Sequence, residues 1–439
     1  MSSWKQVRFS EICDITRGGS PRPIQEYMTN DGVPWIKISD ATASNSRFIE
    51  KTKEFIKTSG ISKSREVFPD DLILSNSATP GIPKFMRIYA CIHDGWLLLR
   101  NFNGAEKEFI YWLLLNERDK LIQQGNGSVF TNLKTDILKN HIVNIPDDIE
   151  EQKRIATILN NIQEKIELNT QINQTLEQIA QTIFKSWFID FDPVHAKANA
   201  LASGQTLEQA TQAAMAVISG KNTQELHRLQ TANPEQYQQL WEIAETFPSG
   251  FDEEGVPRGW ESKKVGEVAK IVKGKKPKLI SSEPDDGFLP HILMASLSGK
   301  YTEYAQIDKS IVCDIFDTLI LMDGAASGKI AIGHKGVIGS TFAKMELSEN
   351  KYWALFNQFM FSKEQDIQAN TTGTSIPHTD KARVLDYEII VPCDVVLNYF
   401  TEMYKNILCS ILNQRKNSFL LENVRDLLLP KLLSGEIHL

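Results

Sequence analysis

The chain has 439 residues, 41% hydrophobic and 23% charged, and at about 100–200 residues per domain it suggests two to four globular domains. Its net charge of −7 argues against a polyanion binder, yet residues 187–258 alone hold 10 acids and 4 bases. Residues 1–150 carry 19 of each and residues 259–395 carry 16 bases against 18 acids, so local patches decide what is bound. No run reaches the ~20 apolar residues of a membrane helix, no signal peptide opens the chain, and five scattered cysteines form no C-x-x-C pair, so a reduced, cytoplasmic protein is expected.

From Trp4 an amphipathic segment leads into the Gly/Pro loop TRGGSPRP, which carries Arg17 and Arg22. Strand-like runs follow at 35–38 (WIKI) and 72–75 (LILS), separated by Gly-, Asn- and Ser-rich turns. The second of them opens the loop SNSATPGIPKF (75–85) with Lys84. A helix is expected over 105–124, then the loop GNGSVFTNLKTD (125–136), and then a strand HIVNIP (141–146) that ends at a proline. The resulting α+β domain spans 1–148.

Beyond Pro146 the period changes. Apolar residues at 155, 158/159, 162, 166, 172, 176, 179 and 183 are spaced by threes and fours without glycine or proline, as in a long helix with a coiled-coil seam. This spacer helix is assigned to 149–190. Its start, PDDIEEQK, resembles a nuclease carboxylate–lysine set, but capping by Asp147 or Asp148 explains it more simply. Residues 191–258 read as an acidic helical connector with flexible joints rather than a third core. The stretch FPSGFDEEGVPRGW (247–260) marks the clearest boundary.

The chain then begins again. Shifted by 256 positions, Trp4 meets Trp260, Glu11 meets Glu267, Ile15 meets Ile271, Gly18 meets Gly274 and Pro21 meets Pro277. Leu72-Ile73-Leu74 matches Leu319-Ile320-Leu321, and Gly127 followed by Pro146 matches Gly373 followed by Pro392. Together with the match of 32–36 to the stretch around Pro290 and Ile292, these four ordered blocks indicate an internal duplication, with a second domain at 259–394 and a second spacer helix at 395–439. The stripes suit an antiparallel pair joining the two domains.

Catalytic signatures fail one by one. DGAASGKI (323–330) looks like a phosphate loop, but three residues separate its glycines and Ile330 stands where a hydroxyl should bind Mg²⁺. No F-x-G-x-G or N-P-P-F signature appears, and the eight histidines lack ligand spacing. No catalytic and no metal residue is assigned. Three duplicated loops carry binding chemistry instead. The Gly/Pro loop holds Arg17 and Arg22 in one copy and Lys273, Lys275, Lys276 and Lys278 in the other. There glycine lets amides approach a phosphate that the cations neutralise, although a repeated turn needs only the glycine and proline. Ser128, Thr131, Asn132 and Lys134 match Thr374, Ser375, His378, Lys381 and Arg383 in a loop dense with donors. The third pair, with Lys84 and Lys329, lies at a strand end where base edges could be read.

At this point the chain resembles the specificity subunit of type I restriction-modification systems. The resemblance rests on the duplication, on the paired Trp openings leading to Gly-x-x-Pro loops, and on PDDIEEQKRIATILNNIQEKIELN, LEQIAQTIFKSWFIDFDPVHAKA and RDLLLPKLLSGEI. It implies two target recognition domains, each reading half of a bipartite double-stranded DNA site. It also implies an antiparallel coiled coil that spaces the domains and docks two modification subunits. Glu151, Gln152, Ile155, Leu159, Trp187 and Phe188 would supply that docking. The chain itself would hold no cofactor. S-adenosylmethionine would sit in the methyltransferase partners, and ATP and Mg²⁺ in two restriction subunits where restriction accompanies methylation. The Glu-Gln pair at 151–152 has no counterpart at 397–398, so the two docking surfaces are expected to differ. The rival readings are a self-sufficient nuclease or methyltransferase, and a coiled-coil interaction scaffold.

Overall fold

The structure, a computed structural model, describes residues 3–42, 46–125, 132–373, 376–437 and 439. It divides into two compact units, 1–169 with 420–439 and 170–419. Two helices contribute to both: Ile149–Phe188, with 40 residues, and Asp394–Ser434, with 41.

The duplication is visible strand by strand. In the first unit one five-stranded sheet runs Met28–Thr29, Phe55–Ile56, Val33–Ile36, Ala90–Ile92, Arg65–Val67 in spatial order. In the second unit the order is Ile280–Ser281, Tyr304–Gln306, Phe288–Ile292, Gly336–Ile338, Val312–Cys313. Each sheet holds one parallel pair at the same place: Trp35 faces Cys91 in the first, and His291 faces Val337 in the second. A second sheet packs beside each. It runs Asp14–Arg17, Trp96–Arg100, Leu72–Ser75, Pro83–Met86 and Phe48–Ile49 in the first unit. In the second it runs Ala269–Lys273, Phe342–Leu347, Thr318–Leu321 and Ile330–Ala331. A two-stranded ribbon closes each domain, pairing Trp4 with Pro146 and Glu261 with Val391.

The apolar runs form these strands because both faces are covered. Leu72, Ile73 and Leu74 are fully buried, as are Leu319 and Ile320, and such runs lack the alternation of a half-exposed strand. WIKI is strand only to Ile36, and Ile38–Thr42 is a short helix. The helix expected over 105–124 is two, Lys107–Asn116 and Arg118–Gly125. They part at Glu117, whose carboxylate turns inward to His141 Nε2 at 3.0 Å.

Each long helix serves as a wall of a domain core. In the first unit Ile155, Ala156 and Leu159 pack with Leu432 and Leu433 and with Phe109 and Leu113. In the second, Phe184, Trp187 and Phe188 join Val396, Phe400 and Tyr404 beneath Phe356 and Phe359. Within each unit the two helices run antiparallel.

The connector departs from expectation. Residues 192–246 form four helices with a small core of Ala214, Met215, Leu226, Leu240 and Ala244. Lys197, only 2% exposed, ties this module together. Its Nζ donates to the carbonyls of Ala244 (3.1 Å), Glu245 (3.0 Å) and Phe247 (2.6 Å) at a helix C-terminus, where a cation satisfies orphan acceptors. Alanine-rich helices can pack closely with few large side chains, so composition alone read as a tether what is a folded module.

Candidate nucleic-acid interface

The repeated glycines have a packing reason. A Cβ on Gly18 would lie 2.1 Å from His93 O, and one on Gly274 would lie 2.2 Å from Gly339 O. Both amides donate at 2.9 Å to the neighbouring strand, Gly18 to Trp96 O and Gly274 to Phe342 O. Pro21 and Pro277 are buried. The glycine and proline therefore build the turn, and the cations within and beside it point outward. Arg17, Arg22, Lys273, Lys275, Lys276 and Lys278 are all exposed.

Around each turn the three duplicated loops meet. In the second unit one carboxylate joins all three. Asp323 lies 2.8 Å from Lys273 Nζ on the Gly/Pro loop and 2.8 Å from His378 Nδ1 on the loop before the last short helix. Burial pushes the Asp323 carboxyl up, but these two partners outweigh it and hold it below the usual carboxylate range. In the first unit Asp94 is the hub. Arg17 Nε donates to its backbone carbonyl at 2.8 Å and Asn76 Nδ2 to the same oxygen at 3.2 Å, while Arg22 lies 3.7 Å from its carboxylate. Burial again works to raise its pKa, and Ser20, His93 and Arg17 lower it further than burial raises it.

One hydrogen bond recurs in both units, its acceptor one position off the sequence match of Leu72–Leu74 with Leu319–Leu321. Leu133 N donates to Asn76 O and Thr379 N to Met322 O, both at 2.8 Å. The preceding residues, Asn132 and His378, hence occupy equivalent exposed positions beside the Gly/Pro turn. The strand-end loops close alike, Gly81 N on Ser75 O and Gly328 N on Leu321 O, both at 2.8 Å. Ile330–Ala331 is a strand, so the helix start of a phosphate loop is replaced by a hairpin.

Several candidates sit elsewhere. Lys84 is only 4% exposed and donates to Ser46 O. Burial lowers its pKa to about 8 against the opposing field of Glu167, so it is a core lysine and not a phosphate contact. Arg383 forks onto Asp366 at 3.0 and 3.1 Å and reaches Tyr387, a staple between two elements of the domain. Lys329 lines a cavity of about 230 Å³ between the second domain and the long helices. Lys134 and Lys381 are exposed at the start of the short helices Thr135–Asn140 and Lys381–Asp386. Ser128, Thr131, Thr374 and Ser375 lie outside the described residues. Lys57, Lys63 and Arg65, none of which the sequence patterns single out, are exposed on the flank of the first turn. Arg65 Nε donates to Arg17 O at 3.4 Å, and Ser64 Oγ to Gly19 O at 2.9 Å. They lie outside the blocks matched between the two halves, and this hid them.

The residues assigned to partner docking are the protein's own core. Gln152, Ile155 and Leu159 are fully buried, and Glu151, Trp187 and Phe188 are at most 5% exposed. Trp187 stacks edge-on against Phe247 at 5.3 Å and Phe188 against Phe400 at 5.0 Å. An apolar stripe at helical spacing looks the same whether its partner is the same chain or another. Asp148 does cap its helix, accepting from Glu150 N at 2.9 Å, while Asp147 pairs with Lys5 and Ser3.

A family model described as type I restriction modification DNA specificity domain matches residues 1–178 and 257–394, one stretch for each repeat. The chain is 30% identical over 479 residues to the type I restriction enzyme HindI specificity subunit of Haemophilus influenzae, covering 100% of both. It is 25% identical over 459 residues to the type I restriction enzyme MjaIX specificity subunit of Methanocaldococcus jannaschii, covering 99% of this chain and 94% of the relative. Among solved structures, the S subunit of a type I restriction-modification system from M. genitalium aligns over 98% of this chain and 96% of its own. Its TM-score is 0.54 at 13% identity, a likeness of fold.

Proposed function

From a chain that belongs to the type I restriction-modification DNA specificity family, we propose that each three-loop junction contacts one half of a bipartite site in double-stranded DNA. The chain is a non-catalytic specificity subunit, so the chemistry belongs to its partners. Two modification subunits would bring S-adenosylmethionine and methylate adenine, and the long helices would dock them and set the gap between half-sites. Two restriction subunits using ATP and Mg²⁺ would join where cleavage accompanies methylation. No helix among the described residues is long and apolar enough to cross a membrane, and a cytoplasmic site of action fits that reading.

The observation that carries the proposal is the repetition of one junction in two domains with different side chains. Arg17, Arg22 and Asn132 surround the first, and Lys273, Lys275, Lys276 and His378 the second. Shared backbone with divergent polar tips suits two domains that grip phosphates alike and read different bases. Methylome sequencing of a host with and without this gene tests it. A two-part methylated motif that vanishes with the gene is the expected result, and an unchanged methylome would refute it.

A further inference from the structure

The second junction immobilises one side chain far more than a phosphate contact requires. His378 is held to Thr372 by two backbone hydrogen bonds, N to O at 2.7 Å and O to N at 2.8 Å. Its ring lies over Gly373, where a Cβ would come within 3.0 Å of Cδ2 and φ is +92°, so the seat is made for glycine. Its Nδ1 is fixed 2.8 Å from Asp323 Oδ1, and Lys273 holds the other carboxylate oxygen. The side chain is nevertheless half exposed, and Nε2 has no partner among the described residues.

A phosphate needs only a nearby charge, and flexible lysines suffice for it. A base edge needs a donor or acceptor held at a set angle. We propose that His378 reads a base edge within the second domain's half-site, and that Asn132 reads one within the first. This assignment rests on the DNA-recognition reading above and names its specificity-determining side chains.

The chemistry follows from the seat. An ionised Asp323 can only accept, so Nδ1 carries a proton, and the neutral tautomer with that proton offers a lone pair at Nε2. In the major groove that lone pair suits an exocyclic amine, N6 of adenine or N4 of cytosine. Asn132 presents both an amide donor and a carbonyl acceptor, the pair that matches N6 and N7 of adenine. The two domains would thus differ in base preference at equivalent positions of their half-sites.

The test uses the chain expressed with its own modification subunit, reading the methylome and the salt dependence of binding for the wild type, His378→Ala and Asn132→Ala. His378→Ala should relax one base pair of one half-site, by roughly 5- to 150-fold in discrimination. The other half-site and the salt slope should not change. Asn132→Ala should do the same in the opposite half-site. Should His378→Ala fail to assemble, Asp323→Asn keeps the shape but frees the ring, and the same base pair should relax. An unchanged motif, or a loss uniform over all sequences with a flatter salt slope, would overturn the assignment while leaving the specificity-subunit reading intact. A wild type that methylates no bipartite site would sink both.

Discussion

Gln152 Oε1 accepts the backbone N–H of Glu106 at 2.7 Å, and Gln152 Nε2 donates to Pro146 O at 2.8 Å and Gly104 O at 3.3 Å. One fully buried amide thereby ties the start of the helix Lys107–Asn116 and the end of the last strand to the first long helix. The long helices begin 245 positions apart, at Ile149 and Asp394. At that shift Ile155 meets Phe400, Leu159 meets Tyr404, and Gln152 meets Leu397, all of them buried. Gln152 is thus a cross-link of the first domain that leucine replaces in the second, and its loss says nothing about partner docking.

Gln152→Leu should therefore destabilise the first unit by about 2–4 kcal/mol, since it leaves a buried N–H and carbonyl without partners. Leu397→Gln should cost the second unit a similar amount, because no matching groups surround it. Thermal melting of both variants measures this, with amide exchange at Glu106 as the local reporter. Equal tolerance of glutamine at both positions would contradict the account.

Much of the junction was legible because it is repeated. The alignment of Gly18 with Gly274 and of Asn132 with His378 came from spacing alone, and the paired 2.8 Å hydrogen bonds of Leu133 and Thr379 uphold it. What repetition could not tell was solvent. Lys84 and Lys275 are both lysines beside glycine or proline, and only the packing of Ser46 and the first long helix over Lys84 separates them. The partition of strands into two sheets was also hidden, because pairings join residues far apart in a chain of similar apolar runs, as Trp35 with Cys91 and Ile15 with Leu99. The helix seam gave the antiparallel pair but not the domain cores that share its apolar faces.

Trp187→Ala should act on stability rather than on assembly. The indole is 3% exposed and touches Phe188, Phe247, Tyr399 and Phe400, and truncating a buried aromatic costs about 3–5 kcal/mol. The isolated chain should lose that stability in denaturant titration before any partner is added. A variant as stable as the wild type that fails only to bind modification subunits would restore the docking role.

Lys275→Ala with Lys276→Ala should weaken DNA binding by the assembled complex equally at cognate and unrelated sequences. Every phosphate left without its cation should flatten the log–log salt slope by about 0.9. Lys273→Ala should change the slope less, because Asp323 already neutralises that ammonium at 2.8 Å. Binding isotherms at several salt concentrations give the slopes. A double variant with an unaltered slope would return the loop to a solvated turn.

Lys84 makes the stability of the first unit depend on alkaline pH. Its folded pKa is about 8 against an ordinary 10.5, because burial disfavours the ammonium more than the nearby Glu167 favours it. Between these values the unfolded chain holds a proton that the folded chain has released, so stability rises with pH. Below pH 8 the folded protein carries the full cost of a buried cation, and by pH 10.5 that cost is gone. At about 1.4 kcal/mol per unit the relief amounts to about 3 kcal/mol. Lys84→Met removes the titrating group while keeping a similar apolar stem, so it should lack this rise. The wild type should accordingly gain stability relative to Lys84→Met as pH climbs from 7.5 to 10.5, read from denaturant midpoints at each pH. Parallel curves for the two proteins would mean that Lys84 stays protonated in the fold, with Ser46 O and Glu167 compensating for its burial.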